Sequence, residues 1–137
     1  MGKKESGFEE LPHTADWAMR VWAVSLPALF AEAARGMNAL SGAQAGPGRR
    51  VSRTYEVKRP DMESLLVTFL SELVWYVEQE NLVFDTFNII LKESKLTVIM
   101  SGAPVLSINK SIKAVTYHNL QILKMKDGFQ VEIVFDV

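Results

Sequence analysis

Two stretches of this chain repeat their apolar residues at helical spacing, and both lie ahead of Asn81. After Ser25, residues Leu26, Leu29, Phe30, Ala33, Met37 and Leu40 recur at intervals of three and four, one stripe of an amphipathic helix. Ser25 is its natural N-cap, Pro27 sits in its first turn, and Gly42 stops it. After Pro60, Asp61 caps a second helix with a wider stripe of Leu65, Leu66, Phe69, Leu70, Leu73, Tyr76 and Val77. The remainder reads as strands and turns. Residues 7–12, Trp17 to Ala23 and Val51 to Arg59 are strands before Asn81. Beyond it come Val83 to Leu91, Leu96 to Ser101, Ile112 to Lys124 and Phe129 to Asp136. Lys92 to Lys95 and Lys126-Asp127-Gly128 are hairpin turns, and Gly42 to Arg50 is a loop. Residues 1–6 read as a polar, flexible leader. The pattern predicts one α+β domain over residues 1–137, a mostly antiparallel sheet with two helices packed on one face.

Composition narrows the chemistry. A chain of 137 residues, 48% hydrophobic and 23% charged, suits one globular domain. The absence of cysteine excludes a Cys nucleophile, a Cys-based zinc site, an iron–sulfur cluster and a redox disulfide. The only histidines are His13 and His118, so a three-His metal centre is excluded as well. Any metal would lean on carboxylates, which favours calcium, magnesium or manganese. The net charge of −1 gives no overall field toward nucleic acid or an anionic membrane. Arg49, Arg50 and Arg53 form a local basic cluster that suits RNA phosphates, an acidic partner or, equally, a solvated loop. The leader has no apolar run behind its lysines, and no apolar run is long enough to span a bilayer, so a cytoplasmic address is expected. Neither a phosphate-binding loop nor a Gly-x-Ser-x-Gly elbow is present.

Three segments are candidates for function. His13-Thr14-Ala15-Asp16 sets an imidazole and a carboxylate at a bend before a strand. Thr and Asp there serve a turn, or Asp16 is a metal ligand. Asp136 and Val137 form an acidic chain end, which is a frayed terminus unless the fold brings it beside Asp16. A period of two through Ile112, Ala114, Thr116 and His118 predicts a strand with His118 on the same face. His118 then either hydrogen-bonds near the strand end or works beside the metal, with Lys110 and Lys113 adding positive charge. By parity Trp17 and Trp22 lie on opposite faces of their strand, so one of them lies outside the core.

The segment Phe8-Glu9-Glu10-Leu11-Pro12-His13-Thr14-Ala15-Asp16 resembles the N-terminal signature of the archease family. Leu29 to Met37 is similar to the helix that follows it, Lys113 to His118 to the second signature, and Phe135-Asp136-Val137 to the acidic ending. The resemblance spans nearly the whole chain, in order. It implies an SHS2-related α+β fold and a non-catalytic role as activating cofactor of the RtcB-type tRNA-splicing RNA ligase. That role promotes guanylylation of the ligase and multiple turnover, with RNA reached through the ligase. It also implies a divalent-cation site, with Ca2+ first and Mg2+ or Mn2+ as alternatives, at Asp16, Asp136 and Val137. His13, His118 and Lys113 would stand around that site or face the partner. Two other readings compete: a chaperone or modulator of RNA-processing proteins such as tRNA methyltransferases, and a stand-alone metal-dependent hydrolase using Asp16, Asp136 and His118. The hydrolase reading lacks a placed nucleophile and a phosphate cradle.

Overall fold

The computed structural model describes residues 5–12 and 16–137. Along them run β1 (Gly7–Leu11), β2 (Trp17–Ala23), α1 (Leu26–Ser41), β3 (Gln44–Ala45), β4 (Val51–Lys58) and α2 (Met62–Glu80). Then follow β5 (Leu82–Lys92), β6 (Lys95–Ser107), β7 (Ala114–Val115), β8 (Leu123–Met125) and β9 (Gly128–Asp136).

The helices begin where the sequence predicts. The Ala28 amide donates to Ser25 Oγ at 3.3 Å and the Ser64 amide to Asp61 Oδ1 at 2.7 Å, satisfying amides that have no partner inside the helix. Gly42 ends α1 at φ 71°, a left-handed conformation that costs glycine little. Asn81 does the same for α2 at φ 55°.

The strands form two antiparallel sheets rather than one. The first has the order β1-β2-β9-β7, with β8 also paired to β9. In the second, β4 and β5 both pair with β6, and β3 pairs with the end of β6. Helix α1 packs on β1, β2 and β9 of the first sheet and on β5 of the second, while α2 packs on β5 and β6 and reaches β7. The helix pair is thus the shared filling of both sheets. Phe30 of α1 stacks on Phe69 of α2 at 6.3 Å, and Phe69 meets Phe87 of β5 edge-on at 5.9 Å. Met19, Val21, Ile133 and Phe135 close the same apolar cluster from the first sheet.

Three further expectations change. The stretch from Ile112 to Lys124 is not one strand but the short ladders β7 and β8. Between them the Leu120 amide donates to the Tyr117 carbonyl at 3.0 Å, and Asn119 takes φ 51°. Thr116 causes the break. Its hydroxyl donates to the Val134 carbonyl at 2.9 Å and accepts from the His118 amide at 3.3 Å, a local bond that competes with the ladder. Second, the loop from Gly42 to Arg50 contains β3, which pairs with Val105 and Ser107. Third, the arginine cluster is not one solvated group. Arg50 grips both oxygens of Asp85, at 2.6 and 3.0 Å, and reaches Ser101 Oγ at 3.1 Å. Of the predicted leader, residues 1–4 lie outside the described residues.

Candidate metal-binding sheet end

The first sheet has one end where three strands finish together. In the β2–β9 ladder Trp17 pairs with Phe135 and Ala18 with Val134. Asp16 lies in the bend just before Trp17 and Asp136 just after Phe135, so both leave adjacent strands at this same end. By parity Asp136 lies on the outer face of β9, because Ile133 and Phe135 point into the core. On the far side of β9, Ala114 pairs with Asp136, and the Lys113 amide donates to the Asp136 carbonyl at 2.8 Å. The main chain of Asp136 is therefore held from β7, while its side chain stays exposed. Asp16 is half-buried, and Val137 packs partly against the core.

The segment leading into β7 is fixed by the end of α1. The Ser41 carbonyl accepts from the amides of Asn109 and Lys110 at 2.8 and 3.1 Å. This anchors Lys110 so that its Nζ stands 5.7 Å from the centre of the Trp17 ring, a cation–π contact beside Asp16. Trp17 packs partly against the core, and Trp22 points the other way, its ring lying against Gly7.

The fold thus brings Asp16, Asp136 and Val137 to one place. Lys113 is beside them through its main chain, with an exposed side chain. His118 is not on the face predicted for it. It sits in the turn after β7, exposed, with Nε2 3.3 Å from Asn119 Nδ2. His13 lies outside the described residues. Among the described residues no three His, Cys, Asp or Glu side chains cluster. The sequence reading gave Thr116 no role, although it decides where His118 goes. Its signal was a hydroxyl two residues ahead of the histidine, the spacing of a side-chain turn.

Chemically, the donors at this sheet end are oxygens from two carboxylates and Val137, which suit a hard cation. The neighbouring ammonium groups of Lys110 and Lys113 give the rim the opposite sign.

Comparison with known proteins covers nearly all of the chain. The model of the archease protein family matches residues 8–137. The protein archease of Methanosarcina barkeri is 33% identical over 147 residues, covering all of both chains. That of Pyrococcus furiosus is 27% identical, covering 95% of this chain and 98% of its own. The solution structure of Methanobacterium thermoautotrophicum protein 1598 superposes with a TM-score of 0.70 at 23% identity, over 96% of this chain and 99% of that one. An archease crystal structure from Thermotoga maritima gives 0.69 at 20% identity, over 94% and 96%.

Proposed function

The chain belongs to the archease protein family, and from that membership we propose that it is a protein cofactor of an RtcB-type tRNA-splicing RNA ligase. In this reading it performs no chemistry on RNA itself. It promotes guanylylation of the ligase and its repeated turnover. Family membership carries the ligase role, and the observation that supports a cation site is that Asp16 and Asp136 leave neighbouring strands at one sheet end, beside Trp17 and Phe135.

Asp16 and Asp136, with an oxygen of Val137, would hold a divalent cation, calcium before magnesium or manganese. When bound, such an ion supplies positive charge against the charge developing on a nucleotide phosphate. The chain's own part is positional. The Lys113 amide and β7 hold the Asp136 main chain, Ser41 anchors Lys110, and Lys110 over Trp17 keeps an ammonium at the rim. A rim with both signs suits a phosphate that is itself approaching a cation.

Guanylylation of the organism's own ligase tests the proposal. The wild-type chain should accelerate it. Asp16→Ala and Asp136→Ala should each lower the acceleration at least ~10-fold, and Asp127→Ala, in the remote hairpin, should not. No acceleration by the wild-type chain would overturn the reading. Turnover of RNA and nucleotide without ligase would favour the hydrolase instead. The Thermotoga maritima relative is described as a possible chaperone. A chaperone of other RNA-processing proteins would raise the soluble yield of a tRNA methyltransferase while leaving guanylylation unchanged.

A further inference from the structure

Strand β4 is an open edge of the second sheet: it pairs with β6 on one side and with no strand on the other. The direction of its main-chain groups alternates along the strand. The Ser52 carbonyl accepts from Arg53 Nη1 at 2.9 Å and the Lys58 carbonyl from Arg59 Nη1 at 2.7 Å, so the even-numbered residues turn their main-chain groups away from β6. The Arg59 amide points the other way, donating to the Ser94 carbonyl at 3.1 Å. Between the two capped carbonyls, the outward amides and carbonyls of Thr54 and Glu56 meet no partner among the described residues. The opposite edge, β5, differs: α1 packs on it, and Asn38 Nδ2 donates to its Phe84 carbonyl at 2.9 Å.

A row of unpaired main-chain donors and acceptors is a template for a further strand. Charged side chains commonly keep a second copy of the same chain off such an edge, and here the charge has one sign. Arg49, Arg53, Lys58 and Arg59 are exposed, and none of them forms an ion pair among the described residues. Glu56, the one acid of β4, is neutralised by Lys95 Nζ at 3.0 Å. Two copies paired through β4 would set these cations against each other, whereas an acidic strand would complement them. A peptide main chain, unlike a nucleic-acid backbone, carries the alternating donors and acceptors that match those of Thr54 and Glu56.

We propose that β4 takes up an acidic, extended segment of another protein by strand addition. Main-chain bonds to Thr54 and Glu56 hold the added strand. Arg53 and Arg59 share one side of β4, about 20 Å apart at Cα by strand rise. Each uses one Nη on its own chain, which leaves donors of the guanidinium fork for a carboxylate. Between them Tyr55 and Val57 are half-buried against the core and suit apolar neighbours. An acid there would face Glu72 of α2, whose carboxylate adds to the effect of burial in raising the Tyr55 phenol. The added strand therefore reads acid, apolar, apolar, acid at alternate positions. The proposal goes beyond the cofactor role, and it uses a different sheet from that of Asp16 and Asp136.

Fluorescence anisotropy of the labelled, end-blocked peptide ETVTVTE with the full chain tests it, without ligase or added metal. The peptide should bind, slow amide exchange at Thr54 and Glu56, and leave exchange within β9 unchanged. Arg53→Glu combined with Arg59→Glu should lose at least ~10-fold in affinity. Thr54→Pro removes one outward amide while sparing the ladder to β6, and it should lose at least ~10-fold as well. The control pair Lys124→Glu, Lys126→Glu, on the first sheet, should stay within about twofold. Arg53→Gln with Arg59→Gln, expected to lose less, supports the same conclusion if charge reversal impairs folding. No binding, or binding without slowed exchange at Thr54 and Glu56, overturns the proposal. Undiminished binding by Thr54→Pro overturns strand addition, and equal binding of the peptide KTVTVTK overturns the acidic assignment. Slowed exchange at Thr54 and Glu56 that grows with protein concentration, in the absence of peptide, makes the edge a contact between copies of this chain instead.

Discussion

Gly102 shows how a single residue can be fixed by its neighbours. A Cβ built there would run into the Val83 carbonyl and stand 2.7 Å from Phe84 Cα, both backbone atoms that cannot swing away. The register of β5 against β6 shifts at this place, between Phe84 and Thr86. Gly102→Ala should therefore destabilise the fold by about 1–3 kcal/mol, read from chemical denaturation. In the sequence Gly102 looks like one more residue near a strand end, because the close approach comes from Val83 and Phe84, across the β5–β6 hairpin at its open end. The same holds for Arg50 and Asp85. Arg50's hydrogen bond holds the Asp85 carboxyl below the usual carboxylate range, ahead of a smaller opposing effect of burial. A carboxyl depressed in the folded state adds stability that is present above its unfolded value of about 3.9 and is lost as pH falls through its folded value. Asp85→Asn should thus lower stability at neutral pH and narrow the gap to wild type in strong acid. A constant gap across an acid titration would contradict this. Glu72 has the opposite sign. Burial raises its carboxyl, so its contribution is present below the unfolded value and fades as pH rises through the folded one. Glu72→Gln is expected to raise the neutral-pH melting temperature and to leave it unchanged in acid.

At the scale of elements, the helices were legible in the sequence because their signals are local. Ser25 and Asp61 need only the next three residues to cap a helix, and Gly42 needs only its own backbone freedom. Ser25→Ala and Asp61→Ala should each cost about 1 kcal/mol, measured as a shift in denaturation midpoint. The hairpins at Lys92 to Lys95 and Lys126 to Gly128 were legible for the same reason. The stretch after Ile112 was not. Its alternation suggested a continuous strand, but Ile112 and Val115, three residues apart, are both buried, and the ladder gives way at Thr116. The loop that follows is fastened from afar, by the Ile122 amide donating to Glu63 Oε2 at 3.0 Å. Removing that acceptor with Glu63→Ala should speed amide exchange at Ile122 and leave exchange within β9 unchanged.

For the whole molecule, Phe69 is the point where α1, α2 and the second sheet meet. It is fully buried between Phe30 and Phe87. Phe69→Ala should cost about 3–5 kcal/mol, a large part of the stability of a domain of this size. The proposed cation joins distant parts of the chain, so it would bind the folded state alone and raise its melting temperature by mass action. Added calcium should raise the melting temperature of the wild type and not that of Asp16→Asn or Asp136→Asn. Equal shifts in all three would remove these residues from the site.

The α+β class, both helices with their caps and most of the strands follow from the sequence alone, because periodicity, capping and turn chemistry act over a few residues; the two candidate aspartates came from the resemblance to the family signatures. Tertiary structure alone decided that the strands divide into two sheets around one helix pair. It also decided that Asp16 and Asp136 leave neighbouring strands at one sheet end and that Arg50 is spent on Asp85. Each of these depends on register between strands far apart in the chain, and that register is set by how the apolar faces close over the helices, not by any local pattern.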